Sequence, residues 1–257
     1  MESAKYQAGG SNDVISTDGG PLASVYEKGS ELGLEPLDYG DPTLVGWWPL
    51  TEGTGTVAYD DSGNNATGSW SGTPAGTSGY YSAGKVGAWA GYFDGTDNYV
   101  SAATPNIPTS GAITISLWLK SNTASAEADI VSKGTLPNNS PRGFYLDFVF
   151  GTLCINAADS SYVWHSACTT STFNNNNWHY VAAFIGSGGM GIYVDDSFLA
   201  SNSQSSYSNN FSSYNLLFGE GAHSAGSDYF GGLIDDIRIY SRALSAAQIA
   251  AIYAGEK

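Results

Sequence analysis

From Leu44 onward, short apolar segments recur at intervals of roughly ten residues, separated by Gly, Asn, Asp, Ser and Pro. LVGWW, NYVSA, AITISLWLK, GFYLDFVF, TLCINAA, WHYVAAFIG and LIDDIRIY are the clearest of them. Segments this short, rich in β-branched and aromatic residues and bounded by turn formers, predict an all-β sandwich. Ala112–Lys120 alternates most cleanly. Ile113, Ile115, Leu117 and Leu119 share one face, and Thr114, Ser116, Trp118 and Lys120 share the other. The first face is expected in the core. The second, an aromatic among hydroxyls, is expected to line a shallow groove.

One segment reads as a helix, SRALSAAQIAAIYAGEK at the C-terminal end. Ser245 and Gln248 form a capping box, Ile249, Ile252 and Tyr253 form the apolar stripe, and Gly255 is the stop. It is expected to seal one end of the sandwich.

Charge narrows the partners. Charged residues are only 13% of the 257, about half the usual share, and the net charge is −15. Nine basic residues spread along the chain make no phosphate-tracking stripe, so nucleic acid and anionic membrane surfaces are not expected as partners. No run approaches the ~20 apolar residues of a membrane span, and no signal-peptide pattern opens the sequence. Either the protein is cytosolic or a leader or anchor has been removed, and the cysteines favour the second.

Cys154 and Cys168 flank a stretch centred on Asp159, Ser160 and Ser161. A hairpin turning at Ser161 would set the two cysteines opposite each other, within disulfide reach. Two buried thiols are the alternative. Zinc held with His165 and His179 lacks any CxxC-type spacing. A disulfide implies an oxidising compartment.

The carboxylates raise the chemical questions. In strand register Leu233, Asp235, Ile237 and Ile239 share a face, which gives Asp235 core parity, while Asp236 and Arg238 are expected to pair on the outer surface. A buried carboxylate needs a cation or several donors. Calcium is one solution, and backbone amides are the other. The loop YDDSGNNATG offers oxygen ligands for calcium from Asp60, Asp61, Asn64 and Asn65, although it is also an ordinary Asx-rich turn. FDGTDNYV, with Asp94 and Asp97, reads as a turn over Gly95–Asn98 between strands carrying Phe93 and Tyr99. Its Asn98 and Tyr99 are candidates for the rim of a binding face.

Catalytic motifs are missing: there is no GxSxG elbow, HExxH or P-loop, and no histidine lies beside an evident nucleophile. Aromatics point elsewhere. Tyr145, Tyr162, Trp164 and Trp118 fall among polar neighbours, as sugar platforms do, with His165 placed to fix hydroxyls. Trp47, Trp48 and Trp178 read as packing residues.

Quoted in order, LVGWWPLTEGTGTVAYDDSGNNATG, GKVGAWAGYFDGTDNYVSA, AITISLWLK, NNWHYVAAFIG, GIYVDDSFLA, LLFGE and FGGLIDDIRIYSRALSAAQIAAIY resemble the bacterial laminin-G-like domains of the concanavalin-A-like lectin/glucanase superfamily. The resemblance implies a two-sheet antiparallel jelly roll, often with a structural calcium, serving in carbohydrate binding or adhesion at the cell surface or outside the cell. It marks Asp61, Asn64 and Asp235 as calcium candidates. Asp196 stands where such domains usually have glycine, and the catalytic Glu-x-Asp-x-x-Glu of related glucanases is absent. Residues 1–43 differ from the rest, and MESAKYQ, the STDGG turn and VYEKGSELGLEP resemble the C-terminal part of type IV pilin-like proteins, which implies display on a pilus-like fibre and pilin-like subunits as partners. The expected division is therefore a polar segment, 1–43, and a laminin-G-like domain, 44–257, binding a glycan or cell-surface ligand.

Overall fold

The computed structural model describes residues 5–7, 14–16, 41–102, 107–108, 110–123, 126–135, 142–204, 207–208, 214–221 and 228–256. Most of residues 1–43, the segment for which the sequence suggests a pilin-like origin, therefore lies outside the described residues. Two of its pieces, β1 (Lys5–Gln7) and β2 (Val14–Ser16), pair with each other.

In chain order there follow β3 (Leu44–Trp48), β4 (Val57–Ala58), β5 (Gly68–Ser71), β6 (Tyr81–Ala83), β7 (Trp89–Asp94), β8 (Tyr99–Ala102), β9 (Ser110–Gly111) and β10 (Ile113–Lys120). Next come β11 (Glu127–Thr135), β12 (Arg142–Val149), β13 (Thr152–Ala158), β14 (Trp164–Thr172), β15 (His179–Gly186) and β16 (Gly189–Val194). The last are β17 (Ser197–Asn202), β18 (Tyr207–Ser208), β19 (Leu216–Phe218), β20 (Gly231–Tyr240) and the helix α1 (Ala246–Gly255).

Apart from β9 and β18, which pair with each other, they build two antiparallel sheets. Sheet I runs β17-β16-β15-β10-β20-β7-β6, with β3 also on β20, and sheet II runs β14-β13-β12-β11-β19-β8-β5-β4. The fold is the expected all-β jelly-roll sandwich. Its core is the space between the sheets, filled from sheet I by Ile113, Ile115, Leu117 and Leu119 and from sheet II by Phe144, Leu146, Phe148, Leu153 and Ile155. Among the described residues no helix is long and apolar enough to cross a membrane.

The FDGTDNYV turn is present but is not a hairpin. β7 belongs to sheet I and β8 to sheet II, so Gly95–Asn98 carries the chain from one sheet to the other. Asp94 holds the bend: its Oδ1 accepts the amides of Thr96, Asp97 and Asn98 at 2.9, 3.1 and 3.2 Å. Asp97 ties it to the neighbouring loop by accepting from the Thr73 amide and hydroxyl, both at 2.9 Å.

The second face of β10 is not a groove. Helix α1 lies over it, and Trp118 is buried with Trp47, Tyr180, Tyr240, Leu244, Ile249 and Ile252. The capping box forms as expected: the Ser245 side chain accepts from the Gln248 amide, and Gln248 Oε1 accepts from the Ser245 amide at 2.9 Å. Beyond its C-terminal end, Glu256 turns back beneath the helix. Trp118 Nε1 donates to Glu256 Oε2 at 2.8 Å, and Arg238 Nη1 bonds Glu256 Oε1.

A bulge in β20 reorders its faces. Ser116 pairs with Arg238 but Trp118 pairs with Asp235, so Leu117 stands opposite two residues, and Asp236 takes a left-handed φ of 51°. After this extra residue Ile237 and Ile239 point into the core, as Ile234 does before it. Asp235 therefore lacks core parity: paired with Trp118, it shares the helix-covered face. Asp236 and Arg238 do pair, at 3.1 Å, but beneath α1 and not on the surface. The same bulge lets Trp47 Nε1 reach Asp236 Oδ1 at 2.6 Å.

Cys154 and Cys168 face each other across β13 and β14 and form the expected disulfide, with Cα atoms 4.1 Å apart. The hairpin turns over Asp159–Val163, with Tyr162 at a φ of 63° and 42% exposed. Replacing both cysteines by alanine is expected to lower the unfolding free energy by about 3 kcal/mol, the loop-closure value for a link of this span. Denaturant unfolding of the oxidised chain and the double variant measures it. An unchanged midpoint would show that the strand pairing alone fixes the hairpin.

Candidate functional site

Among the described residues, no helix covers the outer face of sheet II. Strand register sets Ser69, Ser101, Leu217, Ser132, Tyr145, Asn156 and Ser166 side by side in one row across seven strands. Alternation along β12 explains the composition of this row: Phe144, Leu146 and Phe148 go inward, which sends Tyr145 and Asp147 outward. A bulge in β11 then puts both Ile130 and Val131 in the core and leaves Asp129 directly opposite Asp147.

A hydrogen-bonded chain crosses the strands. Ser166 Oγ donates to Asn156 Oδ1, and Asn156 Nδ2 donates to Asp147 Oδ1 at 2.9 Å. Over it Tyr145 and Trp164 meet edge to face, ring centres 4.9 Å apart at 74°. The Trp164 Nε1–H has no acceptor among the described residues.

Asp129 and Asp147 are 1% and 4% exposed. Burial pushes the Asp129 carboxyl up to about 9, with the charges of Asp147, Asp228 and Glu127 adding to it. Burial raises Asp147 to about 7, partly offset by the Asn156 hydrogen bond. At neutral pH Asp129 is thus protonated.

Toward the other end of this face, Asp228 and Tyr229 run alongside Asp129, whose amide donates to Asp228 O at 2.9 Å. Tyr229 lies 6.4 Å from Tyr99, ring centre to ring centre. Between them and the β12–β13 tip is a cavity of about 400 Å³, walled by Glu127, Val149, Phe150, Asp228, Tyr229 and Gly95.

The candidates read from the sequence separate into groups. Tyr145 and Trp164 come together on this face, and Tyr99 stands at its far side. His165 does not join them: it pairs with Ala157, a core-facing residue, and its Nε2 bonds Asp159 Oδ2 at 2.9 Å in its own hairpin. Asn98 is fully buried, and its side-chain amide has no partner among the described residues; its Oδ1 lies against Gly72 and not at the rim. Sequence reasoning missed Asp129, Asp147, Asn156, Phe150 and Tyr229. The polar parity of Tyr145 and Asp147 within GFYLDFVF was the signal that pointed to this face.

The residues marked for calcium do not form one donor set. Asp235 Oδ2 accepts the amides of Lys85 and Val86 at 2.7 and 2.8 Å, the amide solution to its burial, although Oδ1 has no partner among the described residues. Burial raises Asp235 to about 7 even so. Asn64 Nδ2 donates to Leu44 O at 2.9 Å. Asp61 sits beside Asp60, and burial followed by that neighbour's charge pushes its carboxyl up. Asp60 itself pins the loop, accepting from the amides of Trp47, Ser62 and Ala66. Among the described residues no group of three or more His, Cys, Asp or Glu side chains has the geometry to hold a metal ion.

At the turn after β16, Asp195 and Asp196 both take left-handed φ values, 49° and 68°. The aspartate thus adopts the conformation for which glycine is usual.

A family model for the concanavalin A-like lectin/glucanases superfamily matches residues 94–250, more than half of the chain and most of the sandwich. The chain belongs to this superfamily. No curated protein sequence matches it. Among solved structures, domain 4 of AbnA, a GH43 extracellular arabinanase from Geobacillus stearothermophilus, in complex with arabinotriose, is similar at 19% identity and TM-score 0.64. That match covers 82% of this superfamily member and 98% of the arabinanase domain. The binding domain of Paraclostridial Mosquitocidal Protein 1 is similar at 18% identity and TM-score 0.63, with 82% and 52% covered. The binding domain of Botulinum Neurotoxin DC in complex with SialylT is similar at 15% identity and TM-score 0.62, with 84% and 52% covered. The chain spans about half the length of those toxin domains. At these identities the likeness is one of fold.

Proposed function

We propose that this superfamily member is a non-catalytic glycan-binding module, secreted or held at the cell surface, which takes sugar rings on the outer face of sheet II. The observation that carries the reading is the Tyr145–Trp164 pair set over the Ser166–Asn156–Asp147 chain. Aromatic faces accept the C–H faces of a sugar ring, and adjoining hydroxyl, amide and carboxyl groups bond its hydroxyls. The similar arabinanase domain in complex with arabinotriose and the toxin binding domains support a binding role and a place outside the cell.

Asp129 and Asp147 are the two close carboxylates a glycosidase reading asks for, and their burial argues against it. A glycosidase needs one ionised carboxylate and one acid, both reaching the scissile bond. Here the two side chains are almost wholly covered, so neither carboxyl reaches a bond lying on the face. They build the floor of the face. Display on a pilus-like fibre through residues 1–43 is a separate proposal, as is calcium at Asp61, Asn64 or Asp235.

A second reading, a protein-docking domain, is favoured by one feature of sheet I. Phe184, Tyr193 and Phe198 cluster at its edge, with Phe198 51% exposed on the edge strand β17.

A glycan array probed with the whole chain, with calcium and with chelator, tests both readings. Binding is expected to at least one glycan class, weakened about tenfold by Trp164→Ala or Tyr145→Ala, the loss for one aromatic contact. No glycan bound under either condition, alongside a protein partner lost on Phe198→Ser, would replace the first reading with the second.

A further inference from the structure

Both hairpin turns that end β13 carry an aromatic residue where the backbone calls for glycine or asparagine. The β12–β13 turn is the two-residue link Phe150–Gly151 between the paired Val149 and Thr152, and both residues are left-handed, with φ values of 50° and 84°. That geometry favours Asn-Gly. The β13–β14 turn closes through the Asp159 amide to Val163 O at 3.0 Å, and the last residue of its loop, Tyr162, is left-handed at 63°. Glycine is the usual choice there. Among the described residues, the other left-handed positions not held by glycine have local explanations. Five are Asn or Asp, which tolerate the conformation, and Leu50 is buried in the core.

Neither ring offsets its backbone strain in the core. Phe150 is 70% and Tyr162 42% exposed, and neither belongs to a core cluster. Both tips are nonetheless held in place. The Phe150 amide donates to Ala126 O at 3.2 Å, and Asp159 Oδ1 accepts the amides of Ser161 and Val163, on either side of Tyr162, at 2.8 and 3.0 Å. Strain that the surroundings fix, at a side chain outside the core, is characteristic of a ligand contact. The two tips also bracket the proposed binding face. Tyr162 lies two residues before Trp164 of the platform, and Phe150 lines the cavity at the far end. The seven residues of β13 between them set the tips about 20 Å apart at the ordinary strand rise. Along the neighbouring edge strand β14, Ser166, Thr170 and Thr172 stand exposed. Aromatics at the ends with hydroxyls between suit an extended sugar chain. An apolar protein partner would need the reverse, an apolar centre with a polar rim. The net charge of −15 opposes an anionic lipid surface.

On the glycan reading of this face, we infer that Phe150 and Tyr162 are sugar-contacting residues, one at each end of β13, and that the module takes an oligosaccharide longer than a trisaccharide lying along that strand.

Calorimetric titration of the whole chain tests this with cello-, chito- and arabino-oligosaccharides, each as trimer and hexamer. In the series that binds, the hexamer is expected to bind about tenfold tighter than the trimer, the scale of one further aromatic contact. Tyr162→Gly should weaken trimer and hexamer alike, and Phe150→Gly the hexamer alone, each by about tenfold. Neither substitution should lower the unfolding temperature, because a side chain in the left-handed region costs more than the extra entropy glycine loses on folding. A hexamer no tighter than the trimer, or either variant binding the hexamer as the wild type does, overturns the inference. If Trp164→Ala then abolishes binding, the glycan reading stands without it. A lowered unfolding temperature in either variant makes that ring a structural residue and overturns the inference too. Vesicles of neutral phosphatidylcholine bound by the wild type and released by Phe150→Gly overturn it in favour of lipid. No oligosaccharide bound in any series, at either length, sinks both.

Discussion

Replacing Arg238 by methionine is expected to destabilise the fold by about 3–5 kcal/mol near pH 8, the cost of removing one partner from a buried ion pair. Arg238 lies between Asp236 and Glu256, with all three side chains less than a tenth exposed. Its guanidinium also sits 4.9 Å from the centre of the Trp47 ring. Methionine keeps the bulk but removes the charge, which leaves two carboxyl groups beneath α1 with the indole N–H donors of Trp47 and Trp118 and each other. Burial already holds Glu256 up at about 8, with Arg238 lowering it and Asp236 raising it. Without the arginine Glu256 is pushed higher still. Since it already holds its proton below about 8 in the wild type, the loss should be nearly the same at pH 5.5 and pH 7 and grow only above pH 8. Urea unfolding of the wild type and Arg238→Met at pH 5.5, 7 and 8 measures it. A loss under 1 kcal/mol at pH 8 would mean the network behaves as a surface ion pair, and that α1 is held by its apolar stripe alone.

That network also marks where the sequence stopped being legible. Periodicity is a local signal, and where the strands are regular it worked: Ile113–Leu119 and Phe144–Phe148 alternate as written, the capping box of Ser245 and Gln248 formed, and Cys154 met Cys168. It failed at the bulges, because one extra residue inverts every side chain beyond it. In β20 the bulge moved Asp235 from core parity to the helix-covered face, and in β11 it hid Asp129 within DIVSK, which reads as a plain apolar run. Periodicity is also silent about what covers a face. Thr114, Ser116 and Trp118 look alike whether they line a groove or lie under α1, and only the helix's tertiary docking decides. The platform was half legible for the same reason. Tyr145 and Trp164 could be named from their polar neighbours, but His165 and Asn98 share that local chemistry and point elsewhere. Nor does FDGTDNYV reveal that its two strands belong to different sheets, since the bend held by Asp94 has similar turn chemistry in a hairpin and a crossover.

The floor of the proposed binding face makes the sharpest prediction about pH. Asp129 is raised to about 9 in the folded chain from an ordinary value of 3.8. A raised acid favours folding below its unfolded pKa, and that stability is lost as pH rises through the folded value. Between pH 5.5 and 7.5 the unfolded chain has an ionised Asp129, while the folded chain keeps it protonated. One proton held throughout two pH units is worth about 3 kcal/mol, so stability should fall by at least that much across the window. Asp147 and Asp235, both near 7, and Glu256, near 8, add to the slope with the same sign. Lys133, which burial lowers to about 8, opposes this slope only slightly and only at the window's upper edge, where the folded chain begins to lose that proton. Asp129→Asn keeps the side chain's size and removes its titration. The variant should lose about one proton's worth of slope and be more stable than the wild type at pH 7.5, on the order of 2 kcal/mol. Denaturant unfolding at pH 5.5, 6.5 and 7.5 reads the slope directly. A wild type that grows more stable over this range, or a variant with an unchanged slope, would show that Asp129 is ionised in the folded chain. The face would then carry a buried negative charge, which its floor would have to offset with hydrogen-bond donors or a cation.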